Sequence, residues 1–150
     1  QTSSALSKAL SGKGGATYGY RVQACNVGGC GPWSGTKSIV ALPLPPGGLT
    51  ATIYVTNLSA GALKPAGTIA PLARMYAYQL SASWSASPGA TSYTFQYCAS
   101  GGSCTTSAGS ATSVSVLSVT GTAYTVSVKA CNASGCSAYS AAVTPAVDQG

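Results

Sequence analysis

The chain has 150 residues, 45% of them apolar and only 5% charged, with seven Lys and Arg against one acidic residue and a net charge of +6. It contains no His and no Glu, and its single acid is Asp148, two residues from the end. General acid/base catalysis needs a group that titrates near working pH, Ca²⁺ and Mg²⁺ need several carboxylate oxygens and catalytic zinc usually needs imidazole, so the composition argues against an enzyme, a metal site or a cofactor.

Residues 3–10 hold Leu6 and Leu10 one helical turn apart with Gly12 behind them, which reads as a short helix. Tyr18, Tyr20, Val22 and Ala24 then stand at every second position, the spacing of a strand with one apolar face. Leu42-Pro-Leu-Pro-Pro-Gly-Gly reads as a linker. A long strand-like run follows from Pro45, and from Leu80 the period of two is clear. Leu80, Ala82 and Trp84 share one face before a Ser87-Pro-Gly turn; Tyr93, Phe95 and Tyr97 make the next strand, turned by residues 99–103. Val114, Val116 and Val119 belong to a third, Tyr124, Val126, Val128 and Ala130 to a fourth, and residues 139–143 return as a fifth. Short strands with Gly, Pro and Ser turns at this spacing predict an all-β antiparallel sandwich.

One segment occurs twice. Tyr18-Gly-Tyr-Arg-Val-Gln-Ala-Cys-Asn-Val-Gly-Gly-Cys returns 106 positions later as Tyr124-Thr-Val-Ser-Val-Lys-Ala-Cys-Asn-Ala-Ser-Gly-Cys. The six cysteines fall into close pairs, Cys25 with Cys30, Cys98 with Cys104 and Cys131 with Cys136, around turn sequences. Zinc ligands favour a Cys-x₂₋₄-Cys spacing with equivalent partners, so hairpin-clipping disulfides are the better reading, and locally paired cysteines in even number point to an oxidising, extracellular compartment.

Leu49-Thr-Ala, Trp84-Ser-Ala-Ser-Pro-Gly-Ala-Thr-Ser-Tyr-Thr-Phe-Gln-Tyr and Tyr124-Thr-Val-Ser-Val-Lys-Ala-Cys-Asn-Ala-Ser-Gly resemble the A, B–C and F strands of a fibronectin type III domain. The Cys-Asn-x-x-Gly-Cys variant resembles modules found along large secreted bacterial proteins. The resemblance runs from about Pro45 to Pro145 and implies an immunoglobulin-like sandwich in which Trp84 is core and Tyr124 makes the tyrosine corner, with Tyr93 and Phe95 beside them.

The sequence departs from that pattern twice. Residues 52–77 separate the A and B strands by more than the family's short connection, and this insertion is apolar, with Ile53, Tyr54, Val55, Leu58, Leu63, Ile69, Leu72 and Met75. Aligned on the repeat, residues 1–40 supply only the last three strands of a domain, equivalent to E, F and G, in which case residues 3–10 are strand rather than helix. The chain therefore divides into a partial unit with its linker at 1–44 and a domain at 45–150 carrying the insertion. Three strands with an open edge and an uncovered apolar face are unstable alone. Their cover comes from the chain's own insertion, from a strand donated by a neighbour, or from a longer precursor, and the residues by themselves leave all three open. Tyr18, Tyr20, Val22, Ile69, Leu72 and Met75 form the candidate assembly surface.

A surface this poor in charge is easily buried against a neighbour, because few charges need desolvating. The basic residues Lys8, Lys13, Arg21, Lys37, Lys64, Arg74 and Lys129 are scattered, without the cluster or motif of a nucleic-acid binder. No apolar run approaches the roughly 20 residues of a membrane span, no signal-peptide pattern opens the chain, and a start at Gln1 without Met reads as a processed or excised product. The leading expectation is a secreted, non-enzymatic structural protein of a bacterial filament or surface array, polymerising with itself head to tail through donated strands. The alternative is a spacer or carbohydrate-binding module of a larger secreted enzyme, toxin or phage tail fibre, attached to sugar or a cell surface, with Trp33 and Tyr139 stacking on sugar rings or else packing beside the last strand. Asn57-Leu-Ser and Asn132-Ala-Ser match the N-glycosylation pattern, which arises readily in Ser-rich sequence.

Overall fold

A computed structural model describes residues 4–58, 75–117 and 121–149. The described chain is all strand and turn. The strands are β1 (Thr17–Tyr20), β2 (Cys25–Asn26), β3 (Gly29–Cys30), β4 (Lys37–Val40), β5 (Thr50–Leu58), β6 (Met75–Ser83), β7 (Ser92–Ala99), β8 (Cys104–Gly109), β9 (Ser113–Leu117), β10 (Tyr124–Asn132), β11 (Gly135–Cys136) and β12 (Ala146–Asp148).

Residues from 45 onward form an immunoglobulin-like sandwich. One sheet has the order β12-β5-β6-β9 and the other β11-β10-β7-β8. All pairings are antiparallel except that of β12 beside β5. Alternate residues point inward, as the pleat requires: Ala51 and Ile53, Leu80 and Ala82, Tyr93 and Phe95, and Tyr124, Val126, Val128 and Ala130 are buried. Trp84 follows β6 and packs its ring on Phe95 at 5.9 Å between centroids, nearly parallel, and on Tyr93 at 5.7 Å. Burying these aromatics and the fully enclosed Ile53, Leu80, Val126 and Val128 stabilises the sandwich by about 1.5–3 kcal/mol per side chain. The Tyr93 hydroxyl accepts the backbone N–H of Ser87 at 3.1 Å, which fixes the turn beneath it.

Several expectations are corrected. Residues 4–16 form neither the helix nor the first of the three strands; Leu6 and Leu10 are exposed, so nothing rewards their helical spacing. Most of the ends of the supposed insertion are ordinary strand. β5 and β6 pair from Thr50↔Ser83 through Leu58↔Met75, so 52–58 and 75–77 belong to one long hairpin. Residues 59–74, with Ile69 and Leu72, lie outside the described residues, as does Val119; Met75 opens β6 opposite Leu58. β8 carries no apolar row and was invisible to periodicity; it forms because β7 offers it a free edge, with Cys98↔Cys104 in register.

Residues 139–143 run beside β10 without becoming a regular strand. Only Val143 makes a bridge, to Val126. Before it, serine hydroxyls do the work of carbonyls: Ala130 N–H donates to Ser137 Oγ at 3.1 Å and Val128 N–H to Ser140 Oγ at 3.2 Å. The N–H groups of Ser137 and Ser140 donate in return to the Ala130 and Val128 carbonyls, both at 2.8 Å.

The N-terminal part is a two-stranded ribbon, β1 against β4 from Thr17↔Val40 to Tyr20↔Lys37, tipped by β2 and β3. It repeats the serine device, Val22 N–H donating to Ser34 Oγ at 2.9 Å and Ser34 N–H to the Val22 carbonyl at 2.7 Å. Disulfides join Cys25 to Cys30, Cys98 to Cys104 and Cys131 to Cys136, each across a pair of facing strand ends.

Candidate functional site

The site is the open face of the ribbon. Position for position, β1 and its continuation repeat β10, so the two copies report what the rest of a sandwich does to one strand. Tyr18 is 38% exposed where Tyr124 is 7%, Tyr20 is 50% where Val126 is 1%, and Val22 is 68% where Val128 is fully buried. Strand β10 is covered by β5, β6 and β9 across the core and flanked by β7. The ribbon has neither, and its apolar row, continued by Ile39 on β4, lies in solvent. Among the described residues β1 and β4 pair only with each other, and an open strand edge is the template that strand addition uses.

The ribbon is nevertheless locally well set. The Tyr18 hydroxyl accepts the backbone N–H of Lys13 and faces the Lys13 carbonyl at 3.4 Å, the bond back to an upstream residue that defines a tyrosine corner. Its ring lies against Gly12, where any Cβ would sit within 2.7 Å of it. The resemblance assigned such a corner to Tyr124; the ribbon forms one with the matching Tyr18. Sequence reasoning missed this, although Tyr18 and Tyr124 open the same repeated motif.

The ribbon is also joined to the sandwich. Gly15, at φ +71°, crosses Gly89, also at φ +71°, backbone to backbone: a Cβ on Gly15 would lie 2.0 Å from the Pro88 carbonyl oxygen and one on Gly89 2.4 Å from the Gly15 oxygen. Asn132 Nδ2 donates to the Ala41 carbonyl at 2.8 Å, while its Oδ1 accepts the Ser134 N–H at 2.9 Å. Pro43 and Pro46 of the linker are buried. The Asn132 amide that matches the glycosylation pattern thus ties its own turn to the start of the linker.

Trp33 and Tyr139 occupy equivalent places, as their spacing predicts, and each has a cation on its ring. The Arg21 guanidinium stands 4.6 Å from the Trp33 ring centre and the Lys129 ammonium 4.9 Å from that of Tyr139. In each pair the cation takes one face of the ring, and Trp33 remains 51% exposed.

No protein-family model matches the chain, and no curated protein does. Among solved structures the chain is similar to the FN1–FN3 domains of chicken CNTN1, at 18% identity and a TM-score of 0.49, over 91% of this chain and 43% of that one. The chain thus spans less than half the length of that structure.

Proposed function

We propose that this protein is a non-enzymatic structural subunit of a secreted bacterial filament or surface array, assembled head to tail by strand complementation. The observation that carries the reading is the exposed row Tyr18, Tyr20 and Val22, whose counterparts in the sandwich are buried. An apolar sheet face with open edges calls for a cover, and a cover donated by the next copy makes a heterologous contact, which propagates into an open filament when its rotation does not close. The low charge of the chain favours such burial, and three disulfides suit an extracellular setting. Of the insertion at 52–77, taken as the candidate donor, residues 52–58 and 75–77 are paired in the sandwich and Ile53 is fully enclosed there.

The test is negative-stain electron microscopy of the unreduced protein over a range of concentrations, alongside Tyr20→Asp and Val22→Asp. Regular fibres that both variants abolish are expected. Compact monomers at every concentration would sink the polymer and leave a spacer module.

A further inference from the structure

The ribbon is fixed to one end of the sandwich, and the sandwich carries the ribbon's own joining parts at its other end. The seat consists of the Pro88–Gly89 turn and Asn132, which lie together because Ser92 at the start of β7 pairs with Cys131 near the end of β10. It receives Gly15 and the Ala41 carbonyl of the ribbon. The repeat maps both of these onto the sandwich: a shift of 106 places Gly15 on Gly121 and Ala41 on Val147. The structure keeps that register across both strands, since Tyr20↔Lys37 in the ribbon becomes the Val126↔Val143 bridge in the sandwich. The two glycines share a backbone conformation, Gly15 at φ +71° and Gly121 at φ +81°. They differ in what they meet. A Cβ on Gly15 would run into the Pro88 backbone, whereas none of the described residues lies within 4 Å of the matching point on Gly121, and Val147 is 43% exposed. Gly121 stands before β10 and Asn132 at its end, so the seat and the uncovered turn are at opposite ends of one sandwich.

We infer that the Gly121 turn docks on the Pro88–Gly89 turn of a second copy, and that the ribbon caps this seat in its own chain. The occupant is a second copy because the chain itself displays both fitting surfaces, the seat in use and the matching turn left uncovered. Neither surface holds a charged side chain, at 85–91 or at 121–123, so their contact leaves no charge to desolvate. Seat and turn belong to opposite ends, which makes the contact heterologous, and every copy added presents one more Gly121 turn. The contact does not use the face of Tyr18, Tyr20 and Val22, and it stands apart from strand complementation.

The positive φ by itself calls for glycine at 121, so the test uses Asn, which tolerates that φ while adding a side chain. Sedimentation velocity is run on full chains over a range of concentrations, all carrying Tyr20→Asp so that the ribbon face does not contribute. Gly15→Asn should free the ribbon, read as protease cleavage in the linker at 41–48, and the freed chain should associate as its concentration rises. Adding Gly121→Asn should abolish that association. A Gly15→Asn/Gly121→Asn chain, with seat open and turn blocked, mixed with a Gly15→Asn/Gly89→Asn chain, with the reverse, should form a one-to-one pair and stop there. A linker that stays protected, a freed chain that remains monomeric, or an association that survives Gly121→Asn overturns the inference. Its loss would leave fibres built on the Tyr20 face standing, and their absence from the microscope would leave this contact standing.

Discussion

Val22 and Val128 hold the same position of the same repeated strand, yet Val22 is open to water and Val128 is sealed. Each hands its carbonyl to a serine N–H and its own N–H to that serine's Oγ, Val22 with Ser34 and Val128 with Ser140. The backbone contact at this position is therefore shared, although β10 runs unbroken from Tyr124 to Asn132 while β1 ends at Tyr20, and the side chains differ in what lies over them.

Val128→Ala is expected to cost about 2 kcal/mol through lost burial and a residual cavity, whereas Val22→Ala in the dispersed chain should stay within about 0.5 kcal/mol. Urea unfolding followed by Trp fluorescence checks both, since Trp84 reports the sandwich. Equal effects would mean that the ribbon face is covered in solution.

Ser140→Ala removes the acceptor of the Val128 N–H in the interior of β10. Leaving that donor buried without a partner is expected to cost about 1–3 kcal/mol, and hydrogen exchange at Val128 should accelerate to match. The same change at Ser34 acts on an exposed strand, where water replaces the hydroxyl, and should be close to neutral.

The crossing of Gly15 and Gly89 leaves no space for a side chain, because the obstructing atoms are backbone. Gly15→Ala should detach the ribbon from the sandwich and raise protease cleavage in the linker at 41–48, with the unfolding midpoint of the sandwich little changed. Gly89→Ala adds a methyl to a turn at positive φ and should cost the sandwich itself roughly 1 kcal/mol as well.

Replacing Cys98 and Cys104 together by Ala opens a small loop within the sandwich and is expected to cost about 2 kcal/mol on the loop-entropy relation. Replacing Cys25 and Cys30 should leave the melting temperature of the sandwich unaltered, because that clip lies wholly in the ribbon. Calorimetry of the two double variants distinguishes them.

The parts of the fold legible in the sequence are those where burial repeats with the period of the pleat. Leu80 to Trp84, Tyr93 to Tyr97 and Tyr124 to Ala130 alternate because every second side chain meets the opposite sheet. β8 was not legible, since Cys104-Thr-Thr-Ser-Ala-Gly has no face to bury and owes its shape to the edge of β7. The stretch 139–143 looked like a strand and is not a regular one, because hydroxyls of Ser137 and Ser140 stand in for carbonyls beside β10. Of the candidate site, Tyr18, Tyr20 and Val22 could be named from the repeat, while the grip of Asn132 on the linker and the covering of Trp33 by Arg21 could not, as both join residues with no pattern relating them.

By itself the sequence determined an all-β sandwich without the groups for acid/base chemistry, a locally paired set of cysteines, and a strand written twice. Those follow from composition and from short-range spacing, which act on each residue through its neighbours along the chain. The tertiary structure alone decided which copy of the strand is buried, that residues 52–58 and 75–77 of the supposed insertion pair as β5 and β6, and how the ribbon is pinned across Gly15 and Gly89. Those depend on surfaces far apart in the chain meeting or failing to meet, and a repeated local pattern carries no record of what will cover it.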